Sequence, residues 1–193
     1  MVGVLQREPR FRERMASDMD EFWVFGYGSL MWNPGFPYEE KAAAHVFGYR
    51  RSLCVRSFVH RGTPERPGLV LGLDRGGSCR GVAFRVQQEN KADVLDYLRA
   101  RELVTHVYRE RLLPVLLTGR RQVRALGYVV NRSHAQYAGA LAADEAAEII
   151  RISAGQSGPN PAYVLNTLSH LREMGIRDPW LEGVGKLVDE NPA

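Results

Sequence analysis

Apolar residues follow two rhythms along this 193-residue chain. Up to about residue 130 they fall in short runs and alternations broken by glycine and proline, the mark of strands and turns. Further on they recur at three- and four-residue spacing, the mark of helices with one buried face. Phe22-Trp23-Val24-Phe25 opens the first regime as a continuous apolar run, read as a buried strand that breaks into Gly26-Tyr27-Gly28-Ser29. Asn33-Pro34-Gly35 ends any short helix begun at Ser29. Residues 45–58 come close to alternation, as one long bent strand or two broken near Gly48, and a loop follows from His60 to Gly68. Leu69–Leu73 and Gly81–Val86 flank Arg75-Gly76-Gly77-Ser78, which predicts a hairpin. A helix is expected next, with Asn90 as N-cap and Asp93 in its first turn. Strands over Val107–Leu117 and Gln122–Val130 are joined by Thr118-Gly119-Arg120.

The helical third begins with Leu141–Ser153. Gln156-Ser157-Gly158-Pro159 then leads to Asn160 as a cap and Pro161 at the first helical position. Val164, Leu165, Leu168 and Leu171 mark an apolar face, and a last helix lies near Trp180–Val188. Residues 1–20 are expected to form a polar arm and residues 21–193 a single domain. About six short strands, one helix among them and helices gathered at the end predict an α+β fold, a small mixed sheet curled towards a barrel with flanking helices.

Composition narrows the class. The 45% hydrophobic and 25% charged fractions are those of a soluble globular protein. The formal charge of +4 is carried by scattered arginines, not by one basic run, so nucleic-acid binding is not expected, and no apolar stretch has membrane-spanning length. Cys54 and Cys79 form no metal-ligand spacing and read as two reduced core thiols. The arm holds Arg7, Glu8, Arg10, Arg12, Glu13 and Arg14 in place of the apolar core of a secretion signal, so the cytoplasm is the expected compartment.

Two features carry candidate chemistry. A strand opening into Gly26-Tyr27-Gly28-Ser29 is either an ordinary glycine turn or a nest of backbone N–H groups suited to a carboxylate or phosphate. No phosphate-loop pattern follows it. In the helix after Asn90, Val94, Leu98 and Glu102 share a face with Leu95 beside them, so Glu102 extends an apolar stripe at the negative end of the helix dipole. Both settings favour the protonated carboxyl and suit general acid–base work. The plainer alternative is a salt bridge from Glu102 to Arg99, Arg101 or Arg109, and Glu110, set among arginines, reads as a surface residue. His60, His106 and His134 have no partners at metal-ligand spacing, and Ser29 lacks a nucleophile-elbow frame. Ser157-Gly158-Pro159-Asn160 offers amides at a helix start, or is a plain turn and cap.

Taken together, Val24-Phe25-Gly26-Tyr27-Gly28-Ser29-Leu30 with Trp32, Gly48-Tyr49-x-Arg51, Arg101-Glu102, Tyr108-Arg109 and Gly155-x-Ser157-Gly158-x-Asn160 followed by Tyr163 resemble the glutathione-specific, ChaC-like branch of the γ-glutamylcyclotransferase-like fold, bacterial type. The resemblance runs from about Phe22 to about Val188. It implies a compact mixed barrel, no cofactor and no metal, and glutathione as small-molecule substrate, cleaved to 5-oxoproline and cysteinylglycine. It further implies that Val24, Phe25, Gly26, Tyr27, Gly28, Ser29 and Leu30 hold the γ-glutamyl group and that Glu102 is the general base, with Arg51, Tyr108 and Tyr163 as further substrate contacts. Two departures stand out: the segment from Leu103 to Arg109 is two residues longer than in eukaryotic members, and Pro159 replaces an arginine. Cyclotransfer on other γ-glutamyl compounds, a silent binding module for such a metabolite and an RNA-binding protein are the alternative readings.

Overall fold

The structure, a computed structural model, describes residues 21–190. Strands β1 (Phe22–Gly26), β2 (Glu40–Ser57), β3 (Gly68–Val86), β4 (Tyr108–Leu117) and β5 (Gln122–Val130) close a barrel in the order β1-β3-β2-β4-β5. The neighbours in that order run antiparallel, while β5 meets β1 and β3 in parallel and completes the ring. Helix α1 (Lys91–Glu102) is inserted between β3 and β4, and α2 (Ala143–Arg151), α3 (Asn160–Glu173) and α4 (Pro179–Glu190) follow the barrel. The α+β expectation therefore holds. The expected polar arm, residues 1–20, lies outside the described residues.

Every residue of β1 is buried, as it lies in the barrel between β3 and β5. Trp23, Phe25 and Phe84 form the middle of the core with Leu53, Leu69 and Leu73. Gly81 shows why β1 can end where it does. A Cβ there would stand 2.3 Å from the Gly26 carbonyl oxygen and 2.8 Å from the Phe25 ring, so only glycine lets β3 press against the start of the turn.

The predicted hairpin at 75–78 does not form. β3 runs unbroken through it and pairs with β2 on both sides, from Glu40↔Arg85 to Ser57↔Gly68. Gly76 and Gly77, at φ of 100° and 69°, bend the strand opposite a register shift between Phe47 and Tyr49, where Gly48 has φ of 82°. Both halves of β3 find their partner in the 18-residue β2, so the glycines serve as a bulge and not as a loop. The long bent strand expected at 45–58 is thus one strand, and it begins earlier, at Glu40.

Asn90 occupies the N-cap position of α1 as expected, but it ends a 3-10 turn (Gln88–Asn90) and its side-chain amide donates to Gln87 Oε1 at 3.3 Å, so the cap makes no side-chain bond to the helix. The second expected cap is corrected. Asn160 is already the first residue of α3, with Pro161 in the first turn. Its fully buried side chain accepts from Leu69 N–H at 2.7 Å and donates to Leu69 C=O at 2.9 Å, filling a strand partner's place 91 residues away. On α3, Val164, Leu168 and Leu171 are buried, but Leu165 faces outward. Both cysteines are free and buried, and burial pushes the Cys54 thiol up to about 12. No helix among the described residues is long and apolar enough to cross a membrane.

Asn160→Ala strands both backbone groups of Leu69. The variant should lose about 1–3 kcal/mol for each orphaned group. Urea unfolding should show a lower midpoint at unchanged slope.

Candidate active site

β1 delivers the glycine turn to the barrel mouth. Val24, Phe25 and Gly26 stay within the strand, and the chain then passes through Tyr27 and Gly28 into a single 3-10 turn (Ser29–Met31). Met31 N–H donates to Gly28 C=O at 2.9 Å and Asn33 N–H to Ser29 C=O at 2.8 Å, which fixes the turn. The N–H groups of Gly28, Ser29 and Leu30 meet no acceptor among the described residues. Donors left open at a helix start are what an anion requires.

Arg51, expected as a substrate contact, stands behind this turn. Its Nε donates to Tyr27 C=O at 2.6 Å, one terminal nitrogen donates to Arg80 C=O at 2.7 Å, and the other pairs with Asp178 at 3.3 Å. Peptide C=O and N–H point in opposite directions across a trans bond. Drawing the Tyr27 carbonyl towards Arg51 therefore turns the Gly28 N–H the other way, and Gly28 lines a small cavity. Arg51 itself borders a separate, wider depression of about 750 Å³ with Asp178 and Trp180.

The small cavity, about 90 Å³, is where the predicted pieces meet. Tyr27, Gly28, Ser29 and Leu30 form one side of it, and Glu102, Tyr108 and Tyr163 the other. Val24, Phe25, Gly26 and Arg51 do not line it. Drug-sized ligands need pockets of roughly 300–1,000 Å³, so this one takes the end of a small molecule. The sequence reading missed Val70, Leu71 and Tyr128, which complete the wall. Leu71 has no chemical signal, because it contributes backbone: its C=O accepts from Tyr108 Oη at 2.7 Å and its N–H donates to Tyr163 Oη at 3.1 Å. Tyr163 thus keeps its own hydroxyl hydrogen free for the cavity.

Glu102 ends α1, carried inward by the buried Val94 and Leu98. Its side chain is 18% exposed. Burial raises its pKa, while Arg101, whose Nε lies 3.1 Å from Oε1, works in the opposite direction. The expected salt bridge and the expected desolvation of Glu102 occur together: a largely buried carboxyl paired, among the described residues, with Arg101. Arg99 is committed elsewhere, to Glu110 at 3.0 and 3.2 Å, and Glu110 also accepts from Tyr128 Oη at 3.2 Å. Burial pushes the Tyr163 phenol up to about 12 and lifts Tyr27 and Tyr108 well above the ordinary range, so these groups stay neutral donors.

The other candidate anion site fails on its amides. Residues 154–159 form a two-stranded ribbon, β6 (Ala154–Gly155) with β7 (Gly158–Pro159), and none of them lines the cavity. The N–H groups of Gln156, Ser157 and Asn160 are taken by Val59, His60 and Ser153 carbonyls. Among the described residues, no three His, Cys, Asp or Glu side chains converge as metal ligands.

The ChaC-like protein family matches residues 22–191. The chain belongs to the ChaC-like family. Among similar proteins, the glutathione-specific gamma-glutamylcyclotransferase of Escherichia coli (strain K12) is 33% identical over 96% of this chain and 83% of its own. Glutathione-specific gamma-glutamylcyclotransferase 1 of Danio rerio is 35% identical over 82% of this chain and 83% of its own. A crystal structure of the yeast gamma-glutamyl cyclotransferase specific to glutathione superposes with a TM-score of 0.81, covering 89% of this chain and 97% of that one at 24% identity. That likeness supports the fold: a ChaC-like barrel with its helices in corresponding places.

Glu102 holds its proton more tightly in the folded chain than in the unfolded one. Its contribution to stability is therefore complete below the ordinary Glu range of about 4.3 and is lost as pH rises through the folded value. Glu102→Gln has no proton to lose. It should match wild type in chemical unfolding near pH 4 and exceed it near pH 8, with the gap opening between.

Proposed function

We propose that this ChaC-like chain cleaves glutathione to 5-oxoproline and cysteinylglycine, with Glu102 as general base and the Tyr27–Leu30 turn as the cradle for the γ-glutamyl head. The observation that carries the reading is a largely buried carboxyl, paired with Arg101, that lines the same small cavity as Gly28, Ser29 and Leu30, whose backbone N–H groups meet no acceptor among the described residues.

The substrate supplies its own nucleophile. Its α-amine must lose a proton before it can attack the γ-carbonyl carbon, because an ammonium has no lone pair. Glu102 Oε2, which has no partner among the described residues, takes that proton. A C–N bond forms to close the five-membered ring, and the electron pair of the carbonyl moves onto oxygen. When that oxygen re-forms the double bond, the amide C–N bond to cysteine breaks and Glu102 returns its proton to the departing nitrogen. The ring nitrogen, still carrying one proton more than the lactam keeps, passes it through the freed carboxylate to the released amine. No water is consumed and no acyl-enzyme forms. The turn amides hold the α-carboxylate or the developing oxyanion, and Tyr163, with its hydroxyl hydrogen unspent, donates from the opposite wall. Ring closure also needs a folded substrate, and a narrow cavity favours it: well-oriented intramolecular reactions gain about 7–11 kcal/mol from such positioning. Reduced, buried Cys54 and Cys79 agree with a cytoplasmic address.

Purified protein incubated with glutathione should release 5-oxoproline and cysteinylglycine in equal amounts, with no oxygen from labelled water in either. Glu102→Gln should lower kcat by roughly 10²–10⁴-fold while leaving substrate affinity nearly intact. Near-normal turnover in a folded Glu102→Gln protein would remove Glu102 as the base. Equal kcat/KM for glutathione and γ-glutamyl-alanine would move the chain to a broader γ-glutamyl specificity.

A further inference from the structure

Arg101 makes more polar contacts than its place next to a catalytic candidate requires. Its Nη2 donates to Ser29 Oγ at 2.8 Å, inside the cradle. Its Nη1 donates to Asn33 C=O at 3.0 Å and to Tyr97 Oη at 3.0 Å, with Pro34 C=O at the 3.5 Å limit. Its Nε faces Glu102 Oε1 at 3.1 Å. One planar group therefore spans the substrate turn, the loop that follows it and the carboxylate across from it. The loop is fitted to this clasp. Gly35 has φ of 74°, and a Cβ there would stand 2.0 Å from the Tyr97 hydroxyl that Arg101 holds.

We propose that Arg101 is a positioning residue for this reaction: its guanidinium fixes the Glu102 carboxylate at a set distance from the cradle and keeps it ionised as substrate arrives. The inference rests on Glu102 being the base.

The surroundings of Glu102 leave that task to Arg101. Tyr27 faces it from the turn, Tyr108 from β4, Tyr128 from β5 and Tyr163 from α3, all as neutral phenols. Arg99 is occupied by Glu110 on the far side of Tyr128. Arg51 lies behind the turn on Tyr27 C=O and Asp178, and Arg61 lies over the Tyr163 ring with a donor on Ser157 C=O. Arg101 is thus the cation in contact with the carboxylate among the described residues. Without it, burial would act unopposed and favour the carboxylic acid, which cannot accept a proton from the substrate ammonium. With it, Oε1 is anchored and Oε2 stays open. Lysine would supply the charge but not the fork that reaches Ser29, Asn33 and Glu102 together.

The test compares wild type, Arg101→Gln, Arg101→Lys and Glu102→Gln in the full chain. Arg101→Gln should lower kcat at neutral pH by tenfold or more, and the acid limb of its kcat/KM profile should move to higher pH. Its loss should therefore be greater near pH 6 than near pH 8. Carbon-13 NMR of labelled glutamate, with Glu102→Gln identifying the signal, should show Glu102 titrating at higher pH in Arg101→Gln than in wild type, whatever the activity. Arg101→Lys should keep the acid limb near its wild-type place but lose turnover. A uniform fall with an unmoved limb and unmoved Glu102 titration in Arg101→Gln would reduce Arg101 to a structural tie and overturn the proposal. Should Arg101→Gln not fold, wild-type kcat in Arg101→Lys would overturn it equally. If Glu102→Gln stays active, the general-base reading itself fails; if it is inactive while Arg101→Gln titrates as wild type, only the role of Arg101 falls.

Discussion

The site depends on a buried cation behind it. Arg51 reaches from β2 to the carbonyl of Tyr27 after β1, to the carbonyl of Arg80 on β3 and to Asp178 just before α4. A guanidinium taken out of water is tolerated only when its donors are matched. Arg51 therefore ties three distant parts of the chain to one point. The turn inherits its orientation from that point: a carbonyl held from the rear turns the Gly28 N–H of the same peptide away from it, and Gly28 lines the cavity. What looks like a flexible glycine stretch is fixed by an arginine that the cavity never exposes.

A second arginine works on the other side of the same turn. Arg51 grips backbone from within, whereas Arg101 grips a side chain and loop carbonyls from the rim and ends on the carboxylate. The electrostatic character of Glu102 is a balance between lost hydration and one near charge. Four tyrosines around it add hydrogen-bond donors but no charge, which among the described residues leaves that balance to Arg101.

Local signals in the sequence were enough to find both halves of the cavity. A buried run ending in two glycines marks the turn, and two apolar residues at four-residue spacing, Val94 and Leu98, carry Glu102 inward, since each depends only on its own element. Signals spread over long separations were not legible. Gly76-Gly77 has the composition of a hairpin loop, and only the presence of the 18-residue β2 alongside makes it a bulge. Asn160 has the composition of a cap, but it is used 91 residues away as a surrogate strand. Arg51 carries no mark to tell a clamp from a ligand contact, because the difference lies in which side of Tyr27 it approaches. Tyr128 reads as one more strand aromatic until β5 closes the ring.

The two sulfurs acquire a meaning from the proposed substrate, which is itself a thiol and circulates with its disulfide. Mixed-disulfide formation requires a thiolate with access to the attacking or attacked sulfur. Cys54 is pushed up to about 12 and Cys79 is raised as well; both are buried, with Cys79 at the edge of the wide depression beside Arg51. The chain's complete set of cysteines is these two. A protein that handles glutathione while keeping both thiols buried and protonated offers that substrate little thiolate with which to form a mixed disulfide.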